Sequence, residues 1–342
     1  MKVAITSVFS NLTYNKKNHR GLEIVYFKQL LEENNYEVDL IGKKGRNTAD
    51  LDFYVDYTEA NWDQYDAVFI QLSTANFFGG QVGAHTETVA REIAGYKGKI
   101  FTLVNDPRID FLNPVEKLKR FNLIQDLESE WSDVIENATY LFPGKDISKF
   151  LGRTPKNWKQ LDWFTYMFKQ RMEIKQTIPT NALFDFDTPK KENDLIYYGD
   201  NRAAFREKQI RKYFPDSENN LLIGYKTKKV NAPFVKKMEH SVLLDTISKS
   251  KASLIIGDAE HLDNVITYRF YETMASDCLA AIQIEYDPNK ELISDPVLRD
   301  ILYVKSKSDV EKLISSYSED LISRQKKELE NIFNNLDITF KI

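Results

Sequence analysis

Two periods of apolar and polar residues run through this chain and take turns. Residues 2–7, KVAITS, alternate like a strand, and GLEIVYFKQLLEENN (21–35) then sets Ile24, Phe27 and Leu31 at helical spacing. YEVDLIG (36–42) reads as a second strand, YDAVFIQL (65–72) as a buried one, residues 82–96 as a helix and GKIFTLVND (98–106) as a further strand. Strands alternating with helices predict a parallel sheet covered by helices on both faces. A helical, aromatic-rich and then polar stretch (155–193) follows, and a second series begins after it. Its strands are LIYYG (195–199), NLLIGY (220–225), ASLIIGD (252–258) and LAAIQIEY (279–286), with helices near 204–214, 241–249 and 265–276. The stretch 308–335 is helical throughout on the same criterion. Two α/β domains in series are predicted, 1–175 and 190–320, with a terminal helix within 321–342.

Composition narrows the class. A chain of 342 residues exceeds one ordinary core, and 42% hydrophobic with 29% charged residues suits a globular protein. No apolar run reaches the roughly 20 residues of a membrane span, and MKVAITSVFSNLTYN lacks a signal-peptide core, so a cytosolic protein is expected. The single cysteine, Cys278, excludes an internal disulfide and any CxxC zinc site. Four scattered histidines show no metal spacing, and GxSxG, GxGxxG and P-loop patterns are all missing. A net charge of −4 gives no general basic coat, yet lysine and arginine gather in EKLKR (116–120), LGRTPKNWK (151–159) and YKTKKVNAPFVKK (225–237). Such runs are either solvated loop faces or contacts to a polyanion.

In open parallel sheets ligands bind beyond the carboxyl ends of the strands, and the chemically interesting residues here follow strands. In DNVITYRFYETMASD (263–277), Arg269 and Glu272 stand three apart on one helix face. They form either a surface ion pair or an anion-plus-diol site, guanidinium to phosphate and carboxylate to ribose hydroxyls. In YYGDNRAAFRE (197–207), Gly199 precedes Arg202 and Arg206 at a helix start, a cradle suited to a pyrophosphate. Asp106 ends a strand, where it is a turn residue or a base able to take a proton from an acceptor hydroxyl; Glu23 opens the first helix, with the same two readings. STANFFGG (73–80) puts two phenylalanines and two glycines just past a strand, and those rings need cover from the core or from a partner.

ANFFGG (75–80), YKGKIFTLVNDPRIDF (96–111), LIYYGDNRAAFRE (195–207) and above all ASLIIGDAEHLDNVITYRFYETMASD (252–277) resemble, in this order, the DNA β-glucosyltransferase family of T-even bacteriophages. The likeness covers most of the chain and is loosest between 112 and 190. It implies a GT-B fold: two Rossmann-like domains whose parallel sheets face a cleft, with C-terminal helices packing back toward the N-terminal domain. It implies transfer of glucose from UDP-glucose, or another sugar such as a pentose, to the hydroxymethyl group of 5-hydroxymethylcytosine in duplex DNA, with inversion. By resemblance, Asp106 is the catalytic base and Glu23 the acid beside the sugar. Gly199, Arg202, Arg206 and Arg269 hold the diphosphate, Glu272 the ribose, and Lys237 and Met238 lie along the uracil. Asn76 and Phe78 enter the duplex where the target base is flipped out, because a stacked base cannot present its 5-substituent to a buried carboxylate. Lys117, Lys119 and Arg120 are available for DNA phosphates. Mg²⁺ or Mn²⁺ near the pyrophosphate, a monomeric state and the cytoplasm of an infected bacterium complete the expectation. The alternatives are a GT-B enzyme with a glycan or small-molecule acceptor, and a non-catalytic DNA-binding relative.

Overall fold

A computed structural model describes residues 1–7, 22–44, 54–71, 84–104, 125–175, 190–199, 204–224, 230–236 and 238–342. They divide into two compact units, Met1–Met167 with Asp337–Ile342, and Phe168–Leu336. The division falls inside the helix Trp163–Lys175, not in the polar stretch 175–190 expected from composition.

The first unit is built on seven parallel strands: β1 (Lys2–Ser7), β2 (Glu37–Gly42), β3 (Tyr54–Asp56), β4 (Ala67–Gln71), β5 (Lys99–Leu103), β6 (Thr139–Phe142) and β7 (Asn157–Gln160). Their order is β3-β2-β1-β4-β5-β6-β7. The chain thus works outward from β1 to β3, crosses back, and works outward again from β4. Val3, Ala4, Ile5, Val68 and Phe69 are fully buried, as a parallel sheet covered on both faces requires. Phe69 stacks on Phe101 at 4.9 Å and meets Phe27 edge-on at 5.4 Å. The chain's last residues complete this core: the Phe340 ring lies 6.0 Å from Phe69 and 5.5 Å from Phe101. Asn34 Nδ2 donates to the Ile338 carbonyl (3.0 Å), and the Phe340 amide donates to Asn34 Oδ1 (2.8 Å).

The second unit repeats the plan with six strands, β8 (Asn193–Tyr198), β9 (Asn220–Ile223), β10 (Phe234–Val235), β11 (Ser250–Ile255), β12 (Leu279–Gln283) and β13 (Tyr303–Val304), in the order β10-β9-β8-β11-β12-β13. β12 is buried at every position, so its sequence LAAIQ carries no alternation. The terminal helical stretch is two helices, Lys307–Ser315 and Glu319–Asn334, each begun by a serine, Ser306 or Ser318, whose hydroxyl accepts from a first-turn amide. The second of these helices clusters with the second unit. Its fully buried Gln325 accepts from the Ala280 amide and donates to the Cys278 carbonyl, both at 2.9 Å, and Glu328 accepts from the Ser294 amide and hydroxyl. Only the residues after it, from Asp337, are part of the first unit.

Candidate functional site

In the second sheet the strand order reverses between β8 and β11, and their carboxyl ends define the crevice where such sheets bind ligands. The chain leaves β8 at Gly199 with φ +148°, a conformation that side chains other than hydrogen rarely adopt. A Cβ there would sit 2.6 Å from Arg269 Nη2, so glycine also makes room for that guanidinium. The next strand, β9, ends the same way: Gly224 has φ +92°, and its Cβ would fall 2.8 Å from the Gly199 carbonyl oxygen.

Two arginines converge on these strand ends. Arg206, in the helix Ala204–Tyr213, forks onto Asp258 just past β11, with Nε to Oδ1 at 3.0 Å and Nη2 to Oδ2. Arg269, in the helix Tyr268–Met274, donates from Nη1 to the Ile256 carbonyl at 2.6 Å. Its guanidinium lies 5.1 Å from the Tyr197 ring centroid and 5.4 Å from that of Tyr198. Arg269 Nε and the Tyr197 hydroxyl are buried without a hydrogen-bond partner among the described residues. An acceptor-rich ligand in the crevice would relieve that cost.

The carboxylate of Glu272 lies one helix turn from Arg269, almost fully buried, and accepts a 2.8 Å hydrogen bond from the Tyr198 hydroxyl. Burial first, and the Glu272 charge second, push the Tyr198 phenol well above its ordinary pKa, so it stays a donor. His261 completes the cluster. Burial lowers its pKa to about 4, Arg206 and Arg269 push the same way and Asp258 opposes them, so the imidazole is neutral at pH 7. Gly257 lets the turn close on it, since a Cβ at 257 would be 2.8 Å from the His261 Cβ. Met238 packs against the buried cluster that includes Ile196, Tyr198 and Ile223, and its sulfur accepts from the Thr246 hydroxyl at 3.6 Å.

Of the residues singled out in the sequence, Gly199, Arg206, Arg269 and Glu272 meet at this switch point, with Met238 beside them through Tyr198. Arg202 and Lys237 lie outside the described residues, as do Asp106, Asn76, Phe78, Lys117, Lys119 and Arg120. Glu23 falls in the first turn of the helix Leu22–Glu33, its side chain outside the described set. The segments that hold the first-domain residues start at the carboxyl ends of β4 and β5, and β4 borders the reversal of the first sheet. Sequence reasoning gave no role to Tyr198 or His261, and marked Gly257 with Asp258 only as residues that follow an apolar run. The tyrosine pair before a glycine is the signal that would have flagged Tyr198.

Two parallel α/β units of one strand order, the second with arginines and a glycine turn at its switch point, define a GT-B type fold. The family described as "Bacteriophage T4 beta-glucosyltransferase" matches residues 1–130. The DNA beta-glucosyltransferase of Enterobacteria phage T4 is 28% identical over 312 residues, 86% of this chain and 84% of that protein. The chain is similar to this family over its first 130 residues and to the T4 enzyme over most of its length. The T4 enzyme's crystal structure with its UDP-glucose substrate superposes with a TM-score of 0.71 at 22% identity, covering 98% of this chain and 96% of that one. Its complex with UDP and Mn²⁺ gives 0.70 at 24% identity over the same shares. An alpha-glucosyltransferase bound to UDP and a 13-mer DNA containing an HMU base reaches 0.52 at 10% identity, covering 98% and 95%. At these identities the superpositions speak to the fold.

Proposed function

We propose that this protein is a DNA glycosyltransferase that moves glucose from UDP-glucose to the hydroxymethyl group of 5-hydroxymethylcytosine in duplex DNA, inverting the anomeric carbon. One observation carries the donor half: Gly199, Arg206, Arg269 and Glu272, from three separate segments, meet at the switch point of the second sheet. A T4 relative that shares 28% of its residues carries the name of the reaction, and UDP-glucose is the substrate seen with the T4 enzyme.

In this reading the second unit binds the nucleotide. Arg269 and the Gly199 turn meet the diphosphate, joined by Arg202 and by Arg206, whose present partner is Asp258. Glu272 receives the ribose hydroxyls and Met238, with Lys237, borders the uracil. The Asp106 carboxylate takes the proton from the acceptor hydroxyl as that oxygen bonds to the anomeric carbon. The bond from that carbon to the phosphate oxygen breaks with its electron pair, and UDP leaves. Attack from the face opposite the leaving group inverts the centre. Glu23 orients the sugar, and Phe78 with Asn76 fills the gap left by the extruded base, recovering part of the few kcal/mol that unstacking costs. Lys117, Lys119 and Arg120 add phosphate contacts.

Among the described residues no group of three His, Cys, Asp or Glu could hold a metal ion, and Asp258 is engaged by Arg206. A divalent ion bound with the nucleotide would offset charge on the leaving diphosphate. No helix of the described residues is long and apolar enough to cross a membrane, and the substrate places the work in the infected cell's cytoplasm. UDP release from UDP-glucose tests the reading. Hydroxymethylated duplex should stimulate it and unmodified duplex should not; equal rates with both would turn attention to a glycan or small-molecule acceptor.

A further inference from the structure

Tyr198 is the last residue of β8, and Glu272 lies 74 positions away in sequence. Nothing in local structure obliges the two to meet, yet the phenol donates to the carboxylate at 2.8 Å, with both side chains nearly closed to solvent. A buried tyrosine hydroxyl usually finds a hydrogen-bond partner, and which partner it takes is informative. Here the hydroxyl is aimed inward, its second contact the Arg269 carbonyl at 3.4 Å, while the ring face is overlain by the Arg269 guanidinium. The same side chain touches both groups to which the donor site assigns opposite tasks, the cation for phosphate and the carboxylate for hydroxyls.

A buried carboxylate that must accept hydrogen bonds from a diol needs a fixed rotamer, because each ångström of misplacement is lost affinity. Glu272 sits in a seven-residue helix, where packing alone leaves its terminal torsion soft. The Tyr198 hydroxyl adds a directional restraint on that torsion. The phenol's raised pKa keeps it protonated across the working range, so the restraint does not titrate away.

We infer that Tyr198 is a positioning residue that orients the Glu272 carboxylate toward a ribose diol and so sets the preference of the donor site for ribonucleotides over their deoxy counterparts. This deepens the reading of the second unit as a UDP-sugar site and rests on it. A site built to hydrogen-bond hydroxyls rejects a ligand that lacks them, because its own polar group is left unmet. If the orienting bond is removed, that discrimination weakens before general affinity does.

The experiment is calorimetric titration of the full-length protein with UDP and with 2′,3′-dideoxy-UDP, in wild type, Tyr198→Phe, Glu272→Gln and the double variant. Wild type should prefer UDP by roughly tenfold or more, the fold-change that 1.4 kcal/mol of hydrogen bonding gives. Tyr198→Phe, which removes one oxygen and keeps the ring, should cut that ratio to about threefold or less while dideoxy-UDP affinity changes by less than about twofold. Glu272→Gln should collapse the ratio as well, and the double variant should fall no further than Glu272→Gln alone, the signature of two groups acting through one contact. Equal weakening toward both nucleotides in Tyr198→Phe would mark the tyrosine as merely structural and overturn the inference. An unchanged ratio, or losses that simply add in the double variant, would overturn it too. Absence of UDP binding by the wild type would instead bring down the donor-site reading, and this inference with it.

Discussion

Gly199 concentrates the residue-scale constraints on the donor site. Its φ of +148° and the 2.6 Å approach of Arg269 Nη2 to a would-be Cβ mean that Gly199→Ala must both strain the backbone and displace the guanidinium. We expect a stability loss of about 1–3 kcal/mol from the backbone, read by urea unfolding, and UDP binding weakened by at least roughly tenfold, read by calorimetry. Asp106→Asn is expected to do the reverse of a binding variant. It should leave the UDP dissociation constant within about twofold while transfer falls by roughly 10²-fold or more, the scale of a lost general base; unaltered turnover would remove Asp106 from the mechanism. His261 gives a pH signature. Its folded pKa, about 4, lies below the ordinary 6.5, so between those values the unfolded chain binds more protons and stability falls as pH drops from about 6.5 toward 4. The loss is on the order of 2–3 kcal/mol, and His261→Gln should flatten that part of the stability profile relative to wild type.

Much of this site was legible in the sequence because its markers are local. The three-residue spacing of Arg269 and Glu272, and a glycine followed by arginines past an apolar run, declare a shared face and a strand-end turn. Tyr198, Asp258 and His261 were not legible in the same way. The partner of Tyr198 is 74 residues away and that of Arg206 is 52 residues away, and only the folded sheet brings them together.

At the scale of elements, strands buried on both faces announced themselves as apolar runs, and their limits fall within a few residues of the expected ones. Those left unread are short or at sheet edges. β7 is NWKQ, exposed along most of its length at the border of the first sheet, and β10 and β13 have two residues each. A strand of two residues is too short to show a period, and an exposed one such as β7 carries no apolar run. The terminal helices were read as one because both are amphipathic; the break at Ser316 to Ser318 is signalled only by a serine followed by Glu319 and Asp320, a helix start rather than an interruption of pattern. The membership of the last six residues had no sequence marker, since Phe340 finds its partners in rings more than 200 positions upstream. Phe340→Ala should accordingly cost the first unit about 3–5 kcal/mol. Urea unfolding should show that unit melting earlier, with UDP affinity, which the proposed function assigns to the second unit, unchanged; a loss of UDP binding below the transition would contradict the proposed division of labour.

On the scale of the whole molecule, the two units repeat one strand order, and the proposed function divides its chemistry between strand ends that the repeat generates. The expected domains were 1–175 and 190–320, and the two compact units divide within the helix Trp163–Lys175, where a continuous helical pattern carries no boundary signal. Reaction and acceptor are properties of the complete chain, and they are decided by its product. Duplex DNA containing 5-hydroxymethylcytosine, incubated with the protein and UDP-glucose, should yield on digestion a nucleoside heavier than hydroxymethyldeoxycytidine by one hexose, resolved by mass spectrometry and carrying the β-anomer. Recovery of only the unmodified hydroxymethyl nucleoside, from protein that binds UDP normally, would contradict the account.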